Sequence, residues 1–128
     1  MPGDIAEAET AQRVTEQALD RFGRIDTLIN NAGIFIGKPF TDSTPDDYAA
    51  VTAVNLDGFF YVTQCAVRQM VDQGGGHIVN VTTSLVEHAW SASPSALASL
   101  TKGGLDAVTR SLANMRHEAS ASMRFRSG

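Results

Sequence analysis

Apolar residues in the first part of the chain recur at the three- and four-residue spacings of one helix face. The stretch runs from Glu7 to Phe22, Glu, Gln and Arg stand among its polar positions, and Gly23 follows directly. This pattern predicts an amphipathic helix that ends at the glycine, because glycine readily adopts the left-handed conformation that closes a helix.

Two short runs that are rich in β-branched residues predict buried strands. The first covers Ile25 to Ile29 and leads into the turn at Asn30 to Gly33. The second covers His77 to Thr83 and has the sequence HIVNVTT. Runs of this length and composition are typical of strands that are covered on both faces of a sheet.

Two longer helices are predicted after the first strand. In the first of these helices, Thr44 is expected to be the N-cap and Pro45 to take the first helical position. This helix should reach about Gln73, because three glycines follow there. The other runs from about Ser95 to Ala113. We expect the apolar residues of this second helix to lie on one side of it. They are Leu97, Leu100, Leu105, Val108 and Leu112.

The predicted elements follow one another in the order helix, strand, helix, strand, helix. Helices that alternate with apolar strands indicate a parallel sheet with crossover connections. The predicted fold class is therefore α/β, a partial Rossmann-like doubly wound sheet. Because about two strands are too few for two βαβαβ halves, we expect only the central strands and helices of such a fold.

Composition and charge exclude several functional classes. A formal charge of −4 on 128 residues argues against a nucleic-acid partner, since binding to phosphates depends on clustered Lys and Arg. Cys65 is the only cysteine, so we expect no internal disulfide, no cysteine cluster for zinc and no metal site. The apolar run around Phe59 is too short to span a bilayer and no signal peptide opens the chain, which predicts a cytoplasmic protein without a membrane partner.

Four segments resemble the short-chain dehydrogenase/reductase family in sequence, order and spacing. They are RIDTLINNAG from Arg24 to Gly33, VNLDGFF from Val54 to Phe60, GGGHIVNVTTS from Gly74 to Ser84 and LTKGGLDAVTRSLA from Leu100 to Ala113. The resemblance covers almost the whole stretch from Pro2 to Ala113. It implies an oxidoreductase that uses NAD or NADP to move a hydride to or from a small-molecule alcohol or carbonyl substrate.

The same resemblance supplies candidate catalytic residues. Asn55 matches an Asn that supports a proton-relay water, and Lys102 matches a Lys that binds the nicotinamide ribose and lowers the pKa of a Tyr. Thr83 and Ser84 share the position of a Ser that orients the carbonyl or alcohol group. Asn55 also lies in mid-helix, where its side chain can compete for backbone hydrogen bonds and kink the helix.

Candidate cofactor-binding residues, besides Lys102, follow the first predicted strand. Ala32 and Gly33 are small enough to let the backbone approach the adenosine ribose, and Asn31 is expected to tie neighbouring strands together. An ordinary turn at the end of a strand is the alternative for these three residues.

Near the start of the chain, Asp4 with its neighbour Ile5 resembles the acidic position that meets the edge of the adenine. The spacing of Asp4 and Glu7 is equally that of a capping box at a helix start. Both interpretations of Asp4 stay open at this point.

The chain departs from the family at the residue that carries the acid–base chemistry. The family places a Tyr four residues before the Lys, one helical turn away on the same face, but this chain has Ala98 there. Loss of a positioned acid–base group lowers a rate by about 10² to 10⁴. The resemblance therefore implies an atypical or degraded catalyst.

The last residues do not follow the family. When the codons of Asn114 to Gly128 are read one base out of frame, allowed synonymous codons give EYAPRGIRVNAVSLG, which resembles the family strand GIRVNAVSPG. We therefore expect residues 1–113 to be an incomplete NAD(P)-binding domain and residues 114–128 to be a frameshifted tail. The family's Gly-rich phosphate-binding turn is not in this sequence.

Three functions remain open from the sequence. The first is an oxidoreductase present as a truncated fragment, whose intact parent forms a homo-oligomer. The second is a remnant without catalytic activity. The third is a dimerising or binding protein, which the adjacent Gly103 and Gly104 favour because they permit close approach of helices. The substrate and the choice between NAD and NADP are left undetermined.

Overall fold

A computed structural model describes residues 2–81, 96–114 and 124–127 of the chain. In these ranges four α-helices and three strands follow one another in a mostly alternating order. They are α1 (Ala8–Phe22), β1 (Thr27–Asn30), α2 (Pro45–Thr52), α3 (Phe59–Asp72), β2 (His77–Asn80), α4 (Ala96–Asn114) and β3 (Arg124–Ser127). The observed architecture confirms the predicted partial Rossmann-like α/β fold.

The sheet is parallel and has the strand order β1-β2-β3. Thr27 pairs with His77, and Asn30 pairs with Asn80, so the first two strands end at the same level. The third strand corrects the sequence prediction, which expected two strands and placed none after residue 114. Its backbone lies beside β2, opposite to β1.

Both predicted strands have shifted or shorter bounds. The first begins at Thr27 and not at Ile25, because the Gln73 side chain bonds the backbone N–H of Ile25 over 3.1 Å and also its carbonyl. The second ends at Asn80, and Val81 is no longer strand. Thr83, the predicted end of that strand, lies outside the described residues.

The predicted helix signals act as expected at two positions. The Thr44 hydroxyl accepts a hydrogen bond from the Asp47 backbone over 3.1 Å, and the Asp47 carboxylate accepts one from the Thr44 backbone over 3.0 Å. This capping box, with Pro45 next to the cap, begins α2. Gly23 ends α1 with a φ of 75°, the left-handed conformation that a glycine adopts without strain.

The long helix predicted from Thr44 to about Gln73 is interrupted in its middle. A π-helical segment, Ala53–Gly58, joins α2 to α3 and contains Asn55. Insertions of this kind are frequent at functional sites because they change the direction of backbone groups. The expected loosening of the helix around Asn55 is therefore present.

Helix packing buries two sets of residues. Met70 and Ala66 of α3 pack on Ile78 of β2 and form the main hydrophobic cluster. On α4, Leu97 and Leu105 are buried, whereas Leu100 is 57% exposed and Val108 is 43% exposed. The apolar residues predicted on one side of this helix are therefore not all buried, because only the four-residue row beginning at Leu97 faces the interior.

None of the helices in the described ranges is long and apolar enough to cross a membrane.

Candidate active site

A network of two asparagine amides, the partly buried Asn30 and the fully buried Asn80, holds together the carboxyl ends of β1 and β2. The Asn30 side chain donates hydrogen bonds to Asn80 over 2.8 Å and to Thr63 of α3 over 3.1 Å. Asn80 in turn donates to the Thr109 hydroxyl of α4, which donates to the Leu105 carbonyl over 2.7 Å. The network therefore joins two strands to two helices beside the sheet edge where ligands bind in doubly wound folds.

The residue that ties the strands together differs from the one predicted. Asn31 is exposed, and its neighbour Asn30 makes the bond to β2. Asn30 is the last residue of β1 and lies directly opposite Asn80 in the parallel pairing. Because successive side chains of a strand point to opposite faces, only one of two adjacent asparagines can join this network.

Asn55 lies at the centre of the candidate site and is 1% exposed. Its carbonyl oxygen accepts a hydrogen bond from the Ile34 backbone N–H over 2.9 Å, and its amide donates to the Ile34 carbonyl over 3.0 Å. The same amide donates to the Thr101 hydroxyl over 3.1 Å. Asn55 therefore fixes the turn after β1 against the π-helical segment and α4.

Thr101 is a site residue that the sequence prediction missed. It is fully buried, and its hydroxyl donates to the carbonyls of Leu97 at 3.0 Å and Ala98 at 3.2 Å while it accepts from Asn55. One sequence feature could have identified Thr101: it is four residues from both Leu97 and Leu105, and this spacing puts it in the buried row of α4.

Lys102 brings its amine to the same turn. A Cβ atom added to Gly33 would lie 2.9 Å from the Lys102 Nζ and 3.2 Å from the Asn55 Oδ1, so these three residues meet where Gly33 has no side chain. Burial lowers the pKa of the Lys102 amine below its ordinary value, because a desolvated ammonium is disfavoured. Lys102 makes no ion pair with any residue in the described part of the chain.

The remaining predicted catalytic positions are placed only in part. Ala98 is half-buried on α4, one turn before Lys102, and its methyl group carries no proton that could be exchanged. Thr83 and Ser84 lie outside the described residues. Of the predicted catalytic set, the structure thus brings together Asn55 and Lys102.

Three of the predicted cofactor-binding residues line one small cavity. Ile5, Asn31 and Ala32 face a space of about 100 Å³ next to β1 and the end of the π-helical segment. Ile5 packs closely on Gly58, where an added Cβ would come within 2.7 Å of its side chain. The structure therefore brings these residues together with the turn that holds Gly33.

Asp4 does not form the alternative capping box. Its carboxylate accepts a hydrogen bond from the Ala6 backbone over 2.9 Å, and Glu7 is the residue that precedes α1, without a side-chain cap. The capping interpretation of the Asp4 and Glu7 spacing is wrong, because the Asp4 carboxylate bonds the backbone N–H of Ala6 in a tight turn and does not cap α1. Asp4 is exposed beside Ile5.

The arrangement presents an amine, two small backbone positions and a rigid amide at the carboxyl edge of a parallel sheet. The described ranges contain no cluster of three or more His, Cys, Asp or Glu side chains that could hold a metal ion. Within them, every buried side-chain nitrogen and oxygen has a hydrogen-bond partner. A rigid turn beside a desolvated lysine suits the binding of a polyhydroxylated cofactor or substrate.

This combination of fold and site is that of a partial Rossmann-like α/β protein, and comparison with known proteins assigns its family. The model of the short chain dehydrogenase family matches residues 1–121. The chain belongs to the short-chain dehydrogenase/reductase family, and it is similar to proteins of that family in both sequence and structure.

Two sequence relatives illustrate the similarity. The chain is 40% identical over 107 residues to YohF, an uncharacterized oxidoreductase of Escherichia coli (strain K12). This alignment covers 77% of this chain and 42% of YohF. The chain is also 38% identical over 84 residues to an L-rhamnose-1-dehydrogenase of Scheffersomyces stipitis. That alignment covers 65% of this chain and 33% of the enzyme.

A solved structure shows the same fold. The gluconate 5-dehydrogenase from Burkholderia cenocepacia J2315, in complex with NADP and tartrate, superposes with a TM-score of 0.86 and 32% sequence identity. The match covers 98% of this chain and 48% of that one. The chain thus spans less than half the length of each of these three relatives.

Proposed function

We propose that this chain is the central part of an NAD(P)-dependent oxidoreductase that interconverts a small alcohol and its carbonyl compound. The meeting of Gly33, Asn55 and Lys102 at the carboxyl edge of the parallel sheet carries this proposal. The relatives named for L-rhamnose and gluconate agree with a small, hydroxylated substrate. The bound nicotinamide supplies or accepts the hydride in such a reaction.

The described residues fit a dinucleotide. A side chain at Gly33 would fill the space beside the Lys102 amine, and the cavity lined by Ile5, Asn31 and Ala32 lies at the same turn. Asp4, exposed next to Ile5, adds a hydrogen-bond acceptor at the position that the family resemblance gives to the adenine edge. These residues would hold the adenosine part, and Lys102 the ribose next to the nicotinamide.

Each candidate catalytic residue has a distinct role in the proposed reaction. Lys102 would donate hydrogen bonds to the ribose hydroxyls of a bound nicotinamide cofactor and place its positive charge near the reacting group. Asn55 keeps the turn after β1 in position through its paired bonds to Ile34. Thr83 or Ser84 orients the substrate oxygen, and Ala98 leaves the acid–base step to water, which makes turnover slow.

The proposal includes a fragment and a frameshift. Residues 1–113 are an incomplete NAD(P)-binding domain of a longer protein, and residues 114–128 are read out of frame. Out-of-frame codons that restore a family strand over some ten letters support this view. The fragment and the frameshift are tested by sequencing the coding DNA together with its flanks and reading it in all frames. Both a Gly-rich turn upstream and the strand GIRVNAVS downstream must then be found.

Cofactor affinity is the direct test of the proposed function. In the protein with its flanking parts and reading frame restored, called the restored protein below, we expect saturable binding of NADH or NADPH by calorimetry. Lys102→Met should weaken this binding about tenfold or more, since a hydrogen bond from a charged group contributes about 1.5–3 kcal/mol. The 128-residue chain alone should show no saturable binding, because its sequence has no Gly-rich turn for the pyrophosphate.

The matched control is Lys38→Met, since Lys38 is the only other lysine and pairs with Asp47 on α2, away from the turn. Equal affinity of the Lys102→Met and unchanged restored proteins would contradict the assigned role of Lys102. Micromolar binding by the 128-residue chain would contradict the need for an upstream phosphate site.

A second candidate function, self-association, rests on an open groove. Between α3 and α4 lies an apolar space of about 540 Å³ whose lining includes Phe60, Val108 and Leu112. Arg68 and Asp72 border it one helical turn apart on α3. In an antiparallel pairing of two copies, Arg68 of each copy would meet Asp72 of the other, which is the self-complementarity that a two-fold interface requires.

Phe60→Glu is expected to weaken this self-association about tenfold or more, because it puts a charge into an apolar interface. The measurement is the monomer–dimer equilibrium by analytical ultracentrifugation. Phe22→Glu is the control, since Phe22 is more exposed, at 76% against 55% for Phe60, but lies on α1 outside the groove. An equal effect of both substitutions would exclude the groove as the interface.

A further inference from the structure

Two threonines of α4 make the same set of contacts at different places in the molecule. Thr101 and Thr109 are both buried, and the hydroxyl of each donates to the backbone carbonyl four residues before it. Each hydroxyl also accepts from a buried asparagine amide, Thr101 from Asn55 and Thr109 from Asn80. The two threonines therefore differ mainly in the asparagine that each one holds.

The Thr101 hydroxyl acts toward Asn55 as an acceptor. A threonine hydroxyl has a single hydrogen, and in Thr101 this hydrogen points back to the helix carbonyls of Leu97 and Ala98, at 3.0 and 3.2 Å. The oxygen then presents its lone pairs to Asn55, so the atom that faces it must be a donor. The Asn55 Nδ2 meets this requirement at 3.1 Å.

This contact completes the hydrogen bonding of the Asn55 amide nitrogen. Nδ2 carries two hydrogens, of which one goes to the Ile34 carbonyl over 3.0 Å and the other to Thr101. Without the threonine hydroxyl, one N–H of a side chain that is 1% exposed would lose its acceptor. The amide could then recover a partner only by turning away from Ile34, whose N–H also depends on the Asn55 Oδ1.

The orientation of Asn55 matters at the turn where Lys102 lies. A Cβ atom added to Gly33 would be 3.2 Å from the Asn55 Oδ1 and 2.9 Å from the Lys102 Nζ, so both groups face this glycine. Lys102 directly follows Thr101 in α4. Thr101 thus joins the residue that holds the turn to the helix that carries the amine.

We propose that Thr101 is a positioning residue of the cofactor site, whose hydroxyl holds the Asn55 amide so that the turn at Gly33 stays in place beside Lys102. This inference rests on the proposed function, because the turn and the amine are the groups that the proposal gives to the cofactor. Thr109 holds Asn80, the last residue of β2, and stabilises the sheet instead.

Hydrogen exchange and side-chain amide NMR on the full 128-residue chain test the positioning. Thr101→Val removes the hydroxyl at nearly constant volume. We expect the Ile34 backbone N–H to exchange at least about tenfold faster, relative to the buried β2 residue Ile78, because its Asn55 acceptor is released. The Asn55 side-chain amide signals should shift at the same time. Thr101→Ser keeps the hydroxyl and should restore both readouts.

Thr109→Val is the matched control, since it removes the same kind of hydroxyl from the same helix. It should shift the Asn80 amide signals and change the relative exchange of Ile34 by less than about twofold. If Thr101→Val does not fold, Thr101→Ala replaces it, with the same expected result. Equal exchange of Ile34 in the Thr101 and Thr109 variants overturns the proposal.

Cofactor affinity of the restored protein measures what the positioning achieves. Thr101→Val should weaken binding of NADH or NADPH about fivefold or more, whereas Thr101→Ser and Thr109→Val should stay within about twofold of the unsubstituted protein. Equal affinities of the two valine variants overturn the proposal even if Ile34 exchanges faster. Absence of binding by the unsubstituted restored protein contradicts the proposed function instead, and the exchange comparison then decides whether Thr101 holds Asn55.

Discussion

Ala98→Tyr is expected to raise hydride transfer in the restored protein by about 10²-fold or more, because it supplies a positioned acid–base group to the proposed site. Position 98 is one helical turn before Lys102, so a phenol there shares the face of α4 that carries the amine. The neighbouring ammonium would lower the pKa of the phenol, which makes proton exchange with an alcohol faster. The measurement is the single-turnover rate of NAD(P)H formation or consumption with a panel of small alcohols and ketones.

The control for this substitution is Ala98→Phe, which adds the same ring without the hydroxyl. It should leave the rate close to that of the Ala98 protein, whereas Ala98→Tyr with Lys102→Met should lose most of the gain. A restored Ala98 protein that already turns over rapidly, and that Ala98→Tyr leaves unchanged or slower, would mean that another group carries the acid–base step. The roles assigned to α4 would then be wrong.

Asn80→Leu is expected to lower the free energy of unfolding by about 2–4 kcal/mol, since it removes two hydrogen bonds from a buried network. Asn80 is fully buried, accepts from Asn30 over 2.8 Å and donates to Thr109. Leucine has a similar volume, so the loss measures the unpaired N–H of the Asn30 amide more than a cavity, while the Thr109 hydroxyl keeps its bond to the Leu105 carbonyl. Urea unfolding followed by circular dichroism gives the free energy.

Asn31→Ala is the matched control, because Asn31 is exposed and adjacent to the asparagine that joins the network. Its effect should stay within about 0.5 kcal/mol. Adding Thr109→Val to Asn80→Leu should cost less than the two separate substitutions together, since each removes the same bond. Unfolding of Asn80→Leu at the same urea concentration as the unsubstituted chain would show that the network does not stabilise the sheet.

Several features of this protein are determined by its sequence over short distances. Periodicity and capping residues placed α1, α2 and α4, and the glycine at position 23 and the Thr44 capping box occur where they were predicted. The family resemblance, which the family match confirms, pointed to Asn55 and Lys102, which the structure brings to one turn. Local signals suffice here because helix ends and motif residues depend on chain neighbours.

The partners of the polar residues could not be predicted in the same way. Asn30, and not Asn31, binds β2, and Thr101 proves to be the buried anchor of Asn55. Both outcomes depend on which side chains face each other after β1, β2 and α4 pack. A sequence with two adjacent asparagines contains no local signal that distinguishes them, because the choice is made by the register of a strand 50 residues away.

The tertiary structure also decided which apolar residues are buried. The periodicity of α4 put Leu100 with Leu97 and Leu105, yet Leu100 is exposed and the buried row continues through Thr101 and Thr109. A single helix pattern cannot show whether an apolar residue faces the sheet or an open groove, since both environments select the same side chains. The sequence by itself determined the helix starts and ends near Gly23 and Thr44, the first two strands and the family motifs. The packing of helices on the sheet decided the third strand, burial and polar pairing, because these depend on contacts between distant segments.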